Sequence, residues 1–255
     1  MRNLDTPVWS NDGKQVCYMG RPIRGADPKS FEILLGCYAC DAHSVFHGPF
    51  RSQKIDRGTF RVLNPNFGID ASNAYFVVRP IRDADPQSFR VLDSALVAER
   101  LGCFLPAGYA ADARSVWFCS LSGVYRIKLA DSRSFVSLGN RFGYDQKRVY
   151  YEQTMLPDAD RATWRPWRGS LSVDQYSVFC YRKRVPGVDR ASIWLLNVDD
   201  CFMDRHRIYS GADPISAEEY LKQLKYKEDA CAFDRDWLPS GKLFERVLDE
   251  WPQHV

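Results

Sequence analysis

Aspartate residues recur along this 255-residue chain at spacings regular enough to form a repeated chemical site. Carboxylates at fixed spacing could act in pairs as general acid and base, or could bind calcium through their oxygens. A catalytic group is normally unique, whereas this residue returns in every copy, and calcium loops need a denser run of Asp and Asn. We therefore expect a structural role, no enzymatic activity, no metal and no cofactor. The first set comprises Asp12, Asp41, Asp70, Asp112, Asp145 and Asp174, with a further copy at Asp204.

A second set of aspartates marks the second half of each repeat. Each is followed three residues later by Ser or Thr, and then by a large apolar residue. Asp27-Pro-Lys-Ser30 has the form of a single helical turn, with Asp as N-cap, Pro at the first helical position and the hydroxyl sharing the cap. The apolar residue should enter the core and start the next strand. The set comprises Asp27, Asp56, Asp85, Asp131, Asp160 and Asp189.

Cysteine and histidine spacing does not add a second chemistry. The chain has eight cysteines, but only Cys37 and Cys40 form a close pair, and no second pair complements them. The four histidines do not follow a ligand pattern. We expect free, reduced, mostly buried thiols.

The residues around the first set predict small stacked sheets. Asp lies between two short β-favouring runs, where its carboxylate can accept from backbone N–H groups ahead and close a hairpin, as in Ile69–Ala74. The second strand is apolar on both faces, which predicts a sheet packed between neighbours. Most steps are 29 or 30 residues, fewer than the roughly 40 of a standard four-stranded blade. We expect about three strands per repeat.

The predicted fold is an all-β array of six to seven repeats of about 29 residues, either propeller-like or a strongly curved solenoid. The array should cover residues 1–213, with a helical insert at about 93–108, and a helical cap should cover 214–255. The cap should start with a capping box at Ser216–Glu219 and include a second helix at 241–251.

Composition limits the remaining choices. Hydrophobic residues make up 45% of the chain and no apolar run reaches the ~20 residues of a membrane span. No apolar signal core opens the sequence, so we expect a cytoplasmic location without membrane contact. The net charge is +3, divided between a mildly basic body and an acidic segment at 200–255 with 12 acidic and 8 basic residues. This balance favours no partner by itself.

Departures from the repeat are the candidate partner-binding positions. They are the 93–108 insert, four additional residues within 119–126, and the acidic C-terminal segment. Each also has a plain structural interpretation, as an edge cover, a tolerated surface loop and an array cap respectively. The candidates are Glu99, Arg100, Tyr125, Arg126, Glu218, Glu219, Asp234 and Asp236.

Two segments, Asp145–Tyr151 and Gly25–Phe31, resemble the DKNYY repeat family of bacterial proteins. The resemblance covers residues 9 to about 213, although no copy contains the literal family motif. It supplies no catalytic residues. It implies an immunity protein encoded beside a bacterial toxin, binding that toxin one-to-one and neutralising it by occlusion. The alternative is a nucleic-acid-binding or carbohydrate-binding repeat protein, served by basic segments such as Arg182–Arg184; nucleic acid is the less favoured partner because no RNA-binding fingerprint is present.

Overall fold

The computed structural model describes residues 8–93, 107–139, 141–198 and 200–231. This part of the chain is almost entirely β-structure: 27 short strands form seven antiparallel sheets, followed by one α-helix. The chain divides into two compact units, residues 1–155 and 156–255. Sheets 1–5 belong to the first unit, and sheets 6 and 7 with the helix belong to the second.

In the first unit, each sheet consists of consecutive strands in chain order. Sheet 1 contains β1 (Trp9–Asn11), β2 (Val16–Tyr18) and β3 (Arg21–Pro22); sheet 2 contains β4 (Glu32–Leu35), β5 (Tyr38–Cys40), β6 (Val45–His47) and β7 (Phe50–Ser52); sheet 3 contains β8 (Arg61–Val62), β9 (Phe67–Ile69), β10 (Ala74–Phe76) and β11 (Arg79–Pro80); sheet 4 contains β12 (Arg90–Val91), β13 (Ala107–Ala111), β14 (Val116–Ser120) and β15 (Gly123–Arg126); sheet 5 contains β16 (Val136–Gly139), β17 (Phe142–Tyr144), β18 (Val149–Tyr151) and β19 (Thr154–Met155).

The second unit continues the same pattern. Sheet 6 contains β20 (Arg165–Arg168), β21 (Leu171–Val173), β22 (Val178–Cys180) and β23 (Lys183–Arg184); sheet 7 contains β24 (Trp194–Leu195), β25 (Cys201–Met203), β26 (Ile208–Ser210) and β27 (Asp213–Ile215). Helix α1 covers Ala217–Cys231.

The expectation of about three strands per repeat is wrong for six of the seven sheets, which have four. Four strands fit into 29 residues because each strand is only two to five residues long. The prediction that the apolar residue of the second half leads into the next strand is confirmed. That strand is the first strand of the following sheet, so each sheet combines the end of one repeat with the hairpins of the next.

Each first-set aspartate forms the predicted Asx-turn. In sheet 5, Asp145 Oδ1 accepts from the N–H groups of Lys147 at 2.8 Å and Arg148 at 2.7 Å. Its second oxygen, Oδ2, accepts from the N–H of Asp131 in the preceding repeat at 3.1 Å. The same bond between repeats joins all six pairs of aspartates from Asp27–Asp41 to Asp189–Asp204. The aspartates therefore tie each hairpin to the repeat before it.

The second-set motif forms a tight turn, and only Arg190–Ser192 is a 3₁₀-helix. The hydroxyl was expected to share the cap of its own turn, but instead it bonds to the capping Asp and to the next repeat. Ser134 Oγ donates to Asp131 Oδ2 at 2.6 Å and accepts from the N–H of Gln146, in the next repeat, at 3.2 Å. All six copies make both bonds. Consecutive repeats are thus joined by a closed set of hydrogen bonds.

An aromatic ladder fills the space between sheets of the first unit. Phe60 lies between Tyr38 of sheet 2 and Tyr75 of sheet 3, with ring centroids 5.6 and 6.3 Å apart. Three other rings repeat this arrangement: Phe31, Phe89 and Phe135. A small residue beneath the ring makes room for it, since a Cβ at Gly68 would come within 2.5 Å of the Phe60 ring. The central two strands of sheets 2 and 3 are consequently buried on both faces.

Helix α1 starts as predicted. Ser216 Oγ accepts from the Glu219 N–H at 3.2 Å, and the Glu219 carboxylate accepts from the Ser216 N–H at 2.8 Å, which confirms the capping box. Tyr220 and Leu224 pack in one apolar cluster with Cys201 and Ile208 of sheet 7. The proposed division at 213/214 stays a prediction, and the predicted helix at 241–251 lies outside the described residues.

Candidate functional site

The repeated carboxylates are occupied by hydrogen bonds from their own framework. Asp70 accepts from the N–H groups of Ser72 and Asn73, from the N–H of Asp56 at 3.1 Å, and from the Tyr75 hydroxyl at 2.6 Å. Burial alone would raise the pKa of Asp70, but these hydrogen bonds outweigh it and hold the pKa below its ordinary value. The carboxylate is therefore ionised and directed at the backbone.

His47 and Asp93 are titratable side chains of the first unit outside the repeated motifs; His47 is buried and Asp93 is half-buried. His47 lies with Nε2 2.7 Å from the carbonyl oxygen of Pro65, and burial lowers its pKa, so a neutral ring donates this bond. Asp93 accepts from the Tyr109 N–H and the Ser137 hydroxyl, and burial raises its pKa. Each is a single titratable side chain that links neighbouring segments through hydrogen bonds.

No metal-binding cluster is found in the part of the chain that the structure describes: no three His, Cys, Asp or Glu side chains are arranged to hold an ion. The six cysteines with described side chains form no disulfide bond, and all but Cys17 are buried. Cys103 and Cys231 lie outside the residues whose side chains are described.

The four additional residues of repeat four lengthen a hairpin. The expectation of a tolerated surface loop at 119–126 is wrong, because Cys119 pairs with Val124 and Ser120 with Gly123, adding two residue pairs to β14 and β15. Shorter hairpins such as β10–β11 have only two pairs in total. The longer strands expose Leu121 at the turn, 51% accessible, and Tyr125 at 36%. We call residues 119–126 the extended hairpin.

Tyr125 and Arg126 also belong to a larger surface, which we call the fourth-strand edge. It consists of the last strands of sheets 1–5, namely β3, β7, β11, β15 and β19. These strands contain four arginines and no Asp, Glu or Lys. Their arginines are all exposed, and so are Phe50, Tyr125 and Met155. The four arginines are Arg21, Arg51, Arg79 and Arg126.

Contacts between sheets show that these edges are adjacent. Arg79 Nη1 of sheet 3 donates to the carbonyl oxygen of Leu121 in sheet 4 at 3.2 Å. A Cβ on Gly25, which follows β3, would collide with the Arg51 guanidinium of sheet 2. Ile55, directly after β7, packs in one cluster with Tyr75 of sheet 3. The edge strands of sheets 1–4 therefore line one side of the stack.

The predicted acidic candidates in helix α1 have local partners. Glu219 caps Ser216, and Glu218 pairs with Lys222 at 2.8 Å on the exposed helix surface. The hydrogen bonds from Ser216 lower the pKa of Glu219. Tyr125 and Arg126 lie in the first unit, whereas these two residues lie in the second. Four other candidates lie outside the described residues: Glu99, Arg100, Asp234 and Asp236.

Comparison of the chain with known protein families, curated proteins and solved structures returned no match. No helix within the described ranges is long and apolar enough to cross a bilayer.

Sequence reasoning overlooked most of the fourth-strand edge. Arg21, Phe50, Arg51 and Arg79 stand nine or ten residues after a first-set aspartate, and this constant distance was the available signal. Their residue types differ between repeats, so a search for identical positions passes over them.

Proposed function

We propose that this protein is a non-catalytic scaffold that binds another protein, and that it serves as a cytoplasmic immunity protein, neutralising a cognate bacterial toxin by one-to-one occlusion. The protein-binding part rests on the fourth-strand edge. Arginine, tyrosine, phenylalanine and methionine are enriched in protein interfaces, whereas Lys, Asp and Glu are depleted, and the edge strands have this composition.

The division of labour within the repeat supports the same proposal. Side chains that recur at identical positions bond to backbone or fill the space between sheets. Residues on the last strand vary from repeat to repeat and face solvent. A framework that is fixed while its edge varies suits recognition of a protein surface.

The toxin-neutralising role rests on the resemblance of Asp145–Tyr151 and Gly25–Phe31 to the DKNYY repeats. A propeller-like or curved solenoid array belongs to this proposal as well, because small meandering sheets in chain order are the unit from which both architectures are built.

The test is co-expression with the product of the neighbouring gene in the source genome. We expect that product to arrest growth alone, the chain to restore growth, and light scattering to show a one-to-one complex. The double variant Leu121→Ser/Tyr125→Ala should weaken the complex. Tyr176→Ala is the matched control, because Tyr176 is an exposed aromatic in the second unit. Absence of a complex, or unchanged growth arrest, would contradict the immunity role.

A further inference from the structure

We infer that the fourth-strand edge of sheets 1–4 binds an acidic, extended segment of a protein. This inference rests on the proposed protein-binding function and specifies the chemistry of the partner.

The positive charge of this edge extends beyond the strands. The segments that directly follow β3, β7, β11 and β15 add exposed basic side chains, namely Arg24, Lys54, Arg57, Arg82 and Lys128. Acidic neighbours offset only part of this charge. Five acidic side chains lie in the same segments, against four strand arginines and these five basic residues, so the formal net charge of the edge is +4; the acids are Asp27, Asp56, Asp83, Asp85 and Asp131.

The guanidinium groups of the edge are held without being neutralised. Arg79 donates to the Leu121 carbonyl oxygen, and Arg51 Nε donates to Ser44 Oγ at 2.8 Å. Both acceptors are neutral, so the positive charge remains available to a carboxylate. The ion pairs identified within the described ranges involve Arg141, Arg205 and Lys222, which lie elsewhere.

The geometry favours a chain that crosses the sheets over one that adds a strand. Pro22 and Pro80 stand in β3 and β11 and have no N–H to offer, which blocks continuous strand addition along the edge. Stacked sheets lie about 10 Å apart, and an extended peptide rises about 3.3 Å per residue. A carboxylate at every third residue would therefore meet one sheet edge after another.

Side-chain composition favours protein over nucleic acid. Phosphate-backbone binding uses Lys and Arg alike, whereas this edge holds seven arginines and two lysines, beside the exposed apolar side chains Phe50, Tyr125 and Met155. Arginine forms bidentate bonds with carboxylates, and the apolar side chains supply the contact area that a peptide can bury.

The experiment uses the full chain and three labelled probes of equal length: a peptide with Glu at every third residue, a peptide of the same composition with its Glu residues clustered at one end, and single-stranded DNA. Fluorescence anisotropy at low salt gives the affinities. We expect the spaced peptide to bind tightest, with the affinity falling as salt rises. Arg79→Glu/Arg126→Glu should weaken it by about tenfold or more, as expected when close charge pairs become repulsive.

The matched control is Arg61→Glu/Lys147→Glu, which makes the same charge change at exposed positions of the same unit away from the edge. It should leave the peptide affinity within about twofold, the effect expected of a distant screened charge. Equal weakening by both double variants, tighter binding of DNA, or no peptide binding overturns the inference. A one-to-one toxin complex that is insensitive to Arg79→Glu/Arg126→Glu also overturns it, yet leaves the proposed function standing. Binding of the spaced peptide without a toxin complex would support the inference and contradict the immunity role.

Discussion

Replacing Asp70 by Ala should show how strongly the aspartates hold the array together. The carboxylate of Asp70 receives four hydrogen bonds, two from its own turn and two from Asp56 and Tyr75. The turn residues Ser72 and Asn73 are exposed, so water can replace the carboxylate there. Tyr75 is 3% accessible and the Asp56 N–H is half-buried, so these two donors lose an acceptor that water replaces poorly.

The expected loss follows from those two donors. A buried donor without a partner costs about 1–3 kcal/mol, and the two lost turn bonds add a smaller amount. We expect the free energy of unfolding to fall by about 3–5 kcal/mol, which is a large part of the ~5–15 kcal/mol typical of a folded protein. At about 2–4 °C per kcal/mol for chains of roughly this size, Tm should fall by about 6–20 °C.

Urea unfolding followed by tryptophan fluorescence, together with calorimetry, measures this loss. Asp12→Ala is the matched control, because Asp12 is exposed and, among the described residues, its carboxylate accepts from the N–H groups of Lys14 and Gln15 in its own turn. It should change stability far less. Asp70→Asn separates the two roles, since it retains one oxygen for the turn but turns an amide donor toward Asp56. Equal losses for Asp70→Ala and Asp12→Ala would refute the bond between repeats as the main contribution.

Three other predictions concern buried groups. The folded-state pKa of His47 lies below its ordinary 6.5, so the unfolded chain takes up the proton first as pH falls. The free energy of unfolding should therefore decrease below about pH 6.5. Urea titrations at about pH 7.5 and 5.5 should show a smaller decrease for His47→Gln than for the unchanged protein. Gly68→Ala places a Cβ 2.5 Å from the Phe60 ring and should lower the free energy of unfolding by about 1–3 kcal/mol, measured by thermal melting. Gly58→Ala, whose Cβ would lie 3.4 Å from Asp56 Oδ1, should leave Tm nearly unchanged in the same assay. Native thiol titration should detect half-buried Cys17 well before Cys119, whose pKa burial raises, and similar rates would contradict the packing.

Local chemistry made much of the fold predictable from sequence. The Asx-turn at Asp145 and the capping box at Ser216 each depend on residues within a few positions of one another, so spacing alone identifies them. The strand after Phe60 was predictable because an apolar residue after a tight turn must enter the core.

Contacts between repeats were less visible in the sequence. The fourth strand of sheets 2–7 was missed because strands of two residues, such as β11, leave too short a pattern to recognise. The extended hairpin was taken for a loop because Ser120 and Gly123, which pair in the structure, are typical turn residues. Edge positions recur at a constant distance from the first-set aspartates but hold different residue types, such as Phe50 and Arg79. Only the stacking of sheets brings the edge arginines together.

The offset between sequence repeat and sheet has a consequence for how such a chain can change length. Each repeat ends in the strand that opens the following sheet, and its turn is closed by the Asp of the following repeat. If one 29-residue period is removed between Asp12 and Asp70, starting at any position, the deletion joins equivalent positions of two neighbouring repeats. The strand order and the hydrogen-bond partners then stay the same. Repeat number can therefore vary through deletion or duplication with unconstrained endpoints, provided that the length is one whole period. Such a change would add or remove one row of edge side chains and so alter the length of partner segment that the protein can accommodate.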